Sequence, residues 1–234
     1  MEVQAVAAAE VGGTAAALVA GELQAAVAAR GRATLALSGG TTPAAMLTAL
    51  AARRLPWEHI HVLQVDERVA RGGSPDRNMS MLAARLLDAV AIPATNVHPM
   101  AVTDPDLDAA ADRYAALLRV HAGNPARLDV VHLGVGSDGH TASLAPGEEA
   151  VQVSDRDVAV TGFYRGYRRM TMTLPLLSRA RWTLWLVTGG HKAGVVGQLV
   201  AGDASIPAAR VHTERATLVA DLDAAALVGS SAHR

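Results

Sequence analysis

The run "LDVVHLGVG" (128–136) constrains the fold more than any other stretch. It is apolar without alternation. A strand with one face in water alternates polar and apolar residues, whereas a strand covered on both faces reads as a continuous apolar run. Further short apolar runs, "ATLAL", "HIHVLQV", "TLWLV" and "ATLVAD", recur along the chain with helical segments between them. Such alternation predicts an α/β fold: three layers, with helices on both faces of a mostly parallel central sheet. No repeat, low-complexity tract or Pro/Ser-rich linker interrupts it, so a single domain over 1–234 is expected.

Local signals predict the elements. The first thirty residues read as helix, broken or kinked near Gly12 and Gly13. Thr42 is expected to cap a helix that Pro43 opens, because the missing N–H of a first-turn proline costs nothing. "HIHVLQVDE" reads as one strand, followed by a loop and a helix from Met79 to Val90. Asp104 is expected to cap the clearest helix and Pro105 to open it, with Leu107, Ala111, Tyr114 and Leu118 on one face and Gly123 at its close. "RMTMTLP", "TLWLVTGG" and "ATLVAD" read as further strands and "HKAGVVGQLVAG" as a helix.

Composition excludes several classes of partner. Lys plus Arg number 21 against 22 Asp plus Glu, so no net charge draws the chain to nucleic acid or an anionic membrane. The absence of cysteine removes thiolate nucleophiles, disulfides and cysteine zinc sites. The amino terminus has no basic stretch and no uninterrupted apolar run of spanning length is evident, so a cytoplasmic protein is expected.

In parallel sheets of this kind ligands sit beyond the carboxyl ends of the strands. There the chemistry-bearing residues fall: Ser38 to Thr42, Asp66 to Arg68, Gly134 to His140 and Gly189 to Lys192. Gly134, Gly136 and Gly139 spell G-x-G-x-x-G, but Pro146-Gly147 follow too soon for the helix that must hold a pyrophosphate. Asp155 and Asp157 stand where a ribose-binding acid would, in a segment rich in acids. The glycines are better read as allowing a tight turn from which Asp138 and His140 project. Either those two residues carry chemistry, or Asp138 steadies the turn and His140 lies on the surface.

"SGGTTP" places Ser38, Gly39, Gly40, Thr41 and Thr42 at a helix amino terminus, where free N–H groups favour an anion. It lacks the P-loop pattern, so a phosphate monoester fits better than a triphosphate, with an ordinary capped helix as the alternative. Lys192 sits in the first turn of a helix, where the dipole disfavours a cation and a bound anion would remove the conflict. Arg169 shares a strand face with Thr171 and Thr173, directed either into a pocket or into solvent. Nine histidines include neither H-E-x-x-H nor, beside His59 and His61, an evident third metal ligand. G-x-S-x-G is absent as well.

Taken together, "SGGTTP", "VDERV", "SPDRNMSML", "LGVGSDGHTASLAPG", "RRMTMTLP" and "LVTGGHKA" resemble the 6-phosphogluconolactonase family, in the family's order, from Ser38 to about Asp221. The chain departs at Ala145, where an aromatic is usual, and in having no acid before Lys192. The resemblance implies a Rossmann-like α/β/α sandwich, shared with glucosamine-6-phosphate deaminases, and hydrolysis of 6-phospho-D-glucono-1,5-lactone. The deaminases carry a glutamate that falls on Ala145 and usually a tyrosine in place of Arg68, which favours the lactonase. A non-catalytic sugar-phosphate binder is a further alternative, against which the set Asp138, His140 and Arg68 argues.

On that resemblance His140 is expected to act as general base on water and Asp138 to orient the loop or the imidazole. Arg68 is expected to stabilise the oxyanion or ring oxygen, Asp66 to bind sugar hydroxyls and Asn78 to orient the loop carrying Arg68. The phosphate would lie on Ser38, Gly39, Gly40, Thr41 and Thr42, countered by Arg169 and Lys192. The scheme calls for no metal or organic cofactor and no partner beyond the phosphosugar lactone, in a monomer or small homo-oligomer.

Overall fold

The structure is a computed structural model that describes residues 1–228; residues 229–234, included in the expected single domain, lie outside the described residues. The chain opens with β1 (Glu2–Val6), α1 (Val11–Arg30), β2 (Ala33–Leu37), α2 (Pro43–Ala51), β3 (Ile60–Gln64), β4 (Asp66–Arg68) and α3 (Asn78–Arg85). It continues with β5 (Val97–His98), α4 (Leu107–Ala122), β6 (Val130–Leu133), β7 (Val158–Val160), β8 (Arg169–Met172) and α5 (Leu174–Ser178). Strand β9 (Trp182–Val187), α6 (Ala193–Ala201) and β10 (Ala216–Asp221) complete it.

Seven strands form one sheet in the order β1-β10-β9-β6-β2-β3-β5, and every pairing in it is parallel. Successive side chains of each strand enter opposite layers. Leu35, Leu37, Ile60 and Val62 pack with Val19 and Leu23 of α1, Met46 and Leu47 of α2 and Leu82 of α3. Ala36, Leu63, Val131 and Leu133 pack on the other face with Tyr114 and Leu118 of α4, Leu177 of α5 and Val196 of α6. Two apolar cores with the sheet between them are what the unbroken apolar runs require.

Several expectations are corrected. The amino terminus is a strand before it is a helix, because Glu2 to Val6 pair in register with Thr217 to Asp221, a partner no local propensity reveals. Gly12 and Gly13 lie inside an unbroken α1. That helix is long and apolar enough to cross a membrane by length and composition, although Glu22 interrupts its apolar run, and its Val11, Ala15, Ala16, Val19, Ala20 and Leu23 are buried in the core. The cap of α4 is Asp106, whose carboxylate accepts the Ala109 N–H at 2.9 Å, and Asp104 instead accepts from Asp106 N and Arg113.

The segment expected as one strand is two. Its first part ends at Gln64, and Val65 bonds to Leu37 on one side and Met172 on the other. The chain then enters a second, antiparallel sheet of order β4-β8-β7, with Asp66 opposite Thr171 and Arg68 opposite Arg169. This small sheet stands at the carboxyl end of the large one. It delivers Asp66, Arg68 and Arg169 to one place.

Candidate active site

The loops after β2, β6 and β9 and the small sheet enclose a cavity of about 330 Å³. Ser38, Gly39, Gly40, Thr41, Thr42, Asp66, Arg68, Asn78, His140, Arg169 and Lys192 all line it. Asp138 does not reach its wall but holds a residue that does. Asp155 and Asp157 are elsewhere, Asp157 being paired with Arg179.

His140 Nδ1 lies 2.5 Å from Asp138 Oδ1. The carboxylate thereby accepts a hydrogen bond from Nδ1–H and leaves Nε2 as the basic nitrogen. Burial alone would push the Asp138 carboxyl up, but hydrogen bonds from Tyr164 and His140 outweigh it and hold it well below the usual carboxylate range. It therefore stays charged. Of the three glycines in this loop only Gly139 has positive φ, at 82°. Gly136 is needed for space instead, since a side chain there would overlap the paired imidazole and carboxylate.

The hairpin between β7 and β8 reaches over this pair. Arg165 (φ 49°) and Gly166 (φ 86°) form its tip, and two successive positive values define a type I′ turn. Tyr164 donates to Asp138 Oδ2 at 2.5 Å and meets the His140 ring edge-on at 5.6 Å between centroids. Arg165 and Arg169 both lie over the Tyr164 ring, at 5.1 and 5.3 Å from its centroid. Tyr167, across the turn, donates to Asp76 Oδ2 at 2.8 Å, and the Asp76 carbonyl accepts from Arg68 at 2.6 Å. Arg165 and Ala142, also at positive φ (52°), are cavity-lining residues in a conformation costly for side chains with a Cβ, a form of strain concentrated at functional sites.

Asp66 is buried at the base of the cavity. Its Oδ2 accepts from Ser143 Oγ at 2.5 Å, and Asn78 Nδ2 donates to its carbonyl and to Oδ1 at 2.8 and 3.1 Å. Burial pushes its carboxyl up, against the lowering influence of Ser143, Arg169 and Arg68. Asn78 thus holds both the side chain and the backbone of Asp66, in the segment that carries Arg68. The Asn78 side chain fits because Gly39 has no Cβ; one placed there would lie 1.9 Å from Oδ1. Glu67 faces away from the cavity and accepts from the backbone N–H groups of Arg68, Asn78 and Met79 and from the Gln64 side chain, all within 2.9 Å. With Arg77 at 3.3 Å it anchors the start of α3.

At the other end the amino terminus of α2 presents Gly39 to Thr42. Thr42 does not cap α2 with its hydroxyl, which instead lies 3.2 Å from Thr188 Oγ1 and ties this loop to the one carrying Lys192. Lys192 and His191 line the wall, and burial lowers the Lys192 ammonium. No carboxylate pairs with Lys192 or Arg169 among the described residues. His132, on β6, adds a buried imidazole to the lining; its Nδ1 faces Ser38 N at 3.4 Å, and burial pushes it down to about 4.

Sequence reasoning missed Tyr164, Arg165, Ser143 and His132, and gave no role to His191 within the segment Gly189 to Lys192. A hairpin signal in "YRGY" was available, but Arg-Gly is not a favoured type I′ pair.

Known proteins share both the sequence and the shape. A 6-phosphogluconolactonase of Synechocystis is 43% identical over 169 residues, 70% of each chain. That of Mycobacterium tuberculosis is 40% identical over 205 residues, 82% of this chain and 83% of the other. The solved structure of 6-phosphogluconolactonase from Trypanosoma brucei superposes with a TM-score of 0.84 at 25% identity, covering 97% of this chain and 98% of that one. A monomeric glucosamine-6-phosphate deaminase gives the same TM-score at 20% identity over 97% of this chain, so the fold by itself does not separate the two activities. The family model for glucosamine-6-phosphate isomerases and 6-phosphogluconolactonases matches residues 7–220, and the chain belongs to that family.

Proposed function

We propose that this protein hydrolyses 6-phospho-D-glucono-1,5-lactone to 6-phospho-D-gluconate in the oxidative pentose phosphate pathway. The carrying observation is the Asp138–His140 pair, which leaves one basic nitrogen on the wall of a cavity also lined by Arg68, Arg169 and Lys192. His140 Nε2 takes a proton from water as the water oxygen bonds to the lactone carbonyl carbon. The oxyanion collapses, the bond from that carbon to the ring oxygen breaks, and the imidazolium returns the proton to the departing alkoxide. General-base help of this kind contributes typically ~10²–10⁴-fold. Arg68 stabilises the developing charge, and Asp66, fixed by Ser143 and Asn78, receives sugar hydroxyls.

The phosphate lies against Ser38, Gly39, Gly40, Thr41 and Thr42, with Arg169 and Lys192 as counter-charges. Binding energy from this remote group orients the reacting carbonyl. Every one of these groups comes from a single chain, so the reading needs no second copy.

Ala145 supports the lactonase over the deaminase. It is buried and has no titratable group where the deaminases carry glutamate. The test is acid release from freshly generated lactone, above the spontaneous rate, by the native protein and by His140→Ala. Acceleration that collapses in the variant supports the activity and the base together. Conversion of glucosamine 6-phosphate to fructose 6-phosphate and ammonia, without lactone hydrolysis, would replace this reading with the deaminase.

A further inference from the structure

Away from the cavity three histidines converge at the edge of the large sheet. His61 is the second residue of β3, His98 the last of β5, and His121 lies in the final turn of α4. One nitrogen from each can be chosen so that all lie within 4.8 Å of one another, and His61 Nδ1 is 3.1 Å from His98 Nε2. The ring centroid of His121 stands 4.2 and 4.5 Å from those of His61 and His98. His98 is buried and the other two are half-buried.

We propose that His61, His98 and His121 form a binding site for a late first-row divalent metal of the zinc type, which pins the end of α4 to the β3–β5 edge. Zinc–imidazole bonds of about 2.0–2.1 Å in tetrahedral array separate ligand nitrogens by roughly 3.3 Å, close to the His61–His98 spacing. His121 needs to close by at most about 1.5 Å on the same geometry, within the reach of a side-chain rotation near a helix end. The all-nitrogen donor set disfavours calcium and magnesium, which take oxygen. With three protein donors the fourth position is left for water or another small ligand.

The rings have no better account as plain packing. Three imidazoles in mutual contact share a single nitrogen–nitrogen hydrogen bond, and Arg32 adds positive charge beside them. Arg32 makes an anionic fourth ligand, such as hydroxide, the better match. The element being pinned is the weakest in the sheet: β5 is two residues long and pairs through Val62–Val97 and Leu63–His98 alone.

The experiment uses the full chain stripped of metal, titrated with Zn²⁺ by calorimetry and followed by thermal melting, beside His61→Ala and His121→Ala. One equivalent should bind to the native protein and raise Tm, because a ligand that binds only the native state stabilises it. Each variant should weaken binding by at least about 100-fold, more than is usual for loss of a mere outer-shell partner. Lactone hydrolysis should be unchanged in both. Cu²⁺ bound to the native protein should show nitrogen couplings from three imidazoles by electron paramagnetic resonance, a readout that stands if a variant fails to fold. Absence of stoichiometric binding, or binding undiminished in both variants and so located at His140, His191 or elsewhere, would overturn the proposal.

Discussion

The Tyr164 phenol donates to Asp138 across 26 residues of sequence, at 2.5 Å, and so connects the β7–β8 hairpin to the loop that carries His140. Hydrogen bonds to charged groups contribute about 1.5–3 kcal/mol, and the partly exposed setting puts this one at the low end. Tyr164→Phe should therefore lower kcat/KM by about tenfold. The sign of the pH effect follows from the carboxylate. Tyr164 helps hold Asp138 below its ordinary range, so without the phenol Asp138 protonates at a higher pH and activity fades sooner on acidification. A rate–pH profile identical to that of the native protein would refute the role.

Gly136 is required for room. A Cβ there would lie 2.0 Å from His140 Nδ1 and 2.6 Å from Asp138 Oδ1, so Gly136→Ala must displace one or both. Misplacement by about 1 Å can cost about 10²-fold in rate. The expected outcome is a loss of that order in kcat, with circular dichroism and Tm close to native, since the loop faces the cavity. Equal losses of activity and stability would show that the glycine serves the fold instead.

Lys192 and Arg169 lack carboxylate partners among the described residues, yet both line the cavity. Lys192→Ala should reduce kcat/KM for the phosphorylated lactone by roughly 10–100-fold, the range expected for a lost charged hydrogen bond. Hydrolysis of glucono-δ-lactone itself should change little. Comparable losses on both substrates would remove Lys192 from the phosphate site.

Buried histidines set the acid stability. His132 and His98 are each pushed down to about 4 by burial. Their unfolded forms protonate near 6.5, so between about pH 6.5 and 4 the unfolded chain binds more protons and native stability falls as pH falls. Below that window the contribution is flat. His132 lies wholly inside, and its share is about 3 kcal/mol. Urea unfolding at pH 7 and pH 4.5 should show a visibly smaller acid loss for His132→Leu than for the native protein.

What could be read from the sequence divides along the range of the interactions. The strands and the polar loops beyond their carboxyl ends are local patterns, and they placed His140, Asp66, Arg68 and Lys192 in one cavity. The two-residue spacing of Asp138 and His140 left their contact open, and geometry settles it at 2.5 Å. Tyr164 was hidden because its importance depends on a hairpin crossing to another loop, with Arg165 in a conformation its residue type disfavours. The metal-type cluster was hidden for the same reason: His61 shows no third ligand in its own strand, and His98 and His121 reach it only through β5 and α4. Strand β1 reads locally as helix because its partner is at the far end of the chain.

That last pairing gives the first five strand residues a protective duty. Strand β10 is almost wholly buried, with Leu218, Val219 and Ala220 inaccessible, and β1 satisfies the N–H and C=O groups along its outer side. Trimming the amino terminus would leave a flat apolar row of unpaired peptide groups, the kind of edge that recruits another strand and seeds aggregation. A tag or fusion at that end is tolerable only if it leaves Glu2 to Val6 free to dock, since these residues act as a lid on the sheet rather than a dispensable tail.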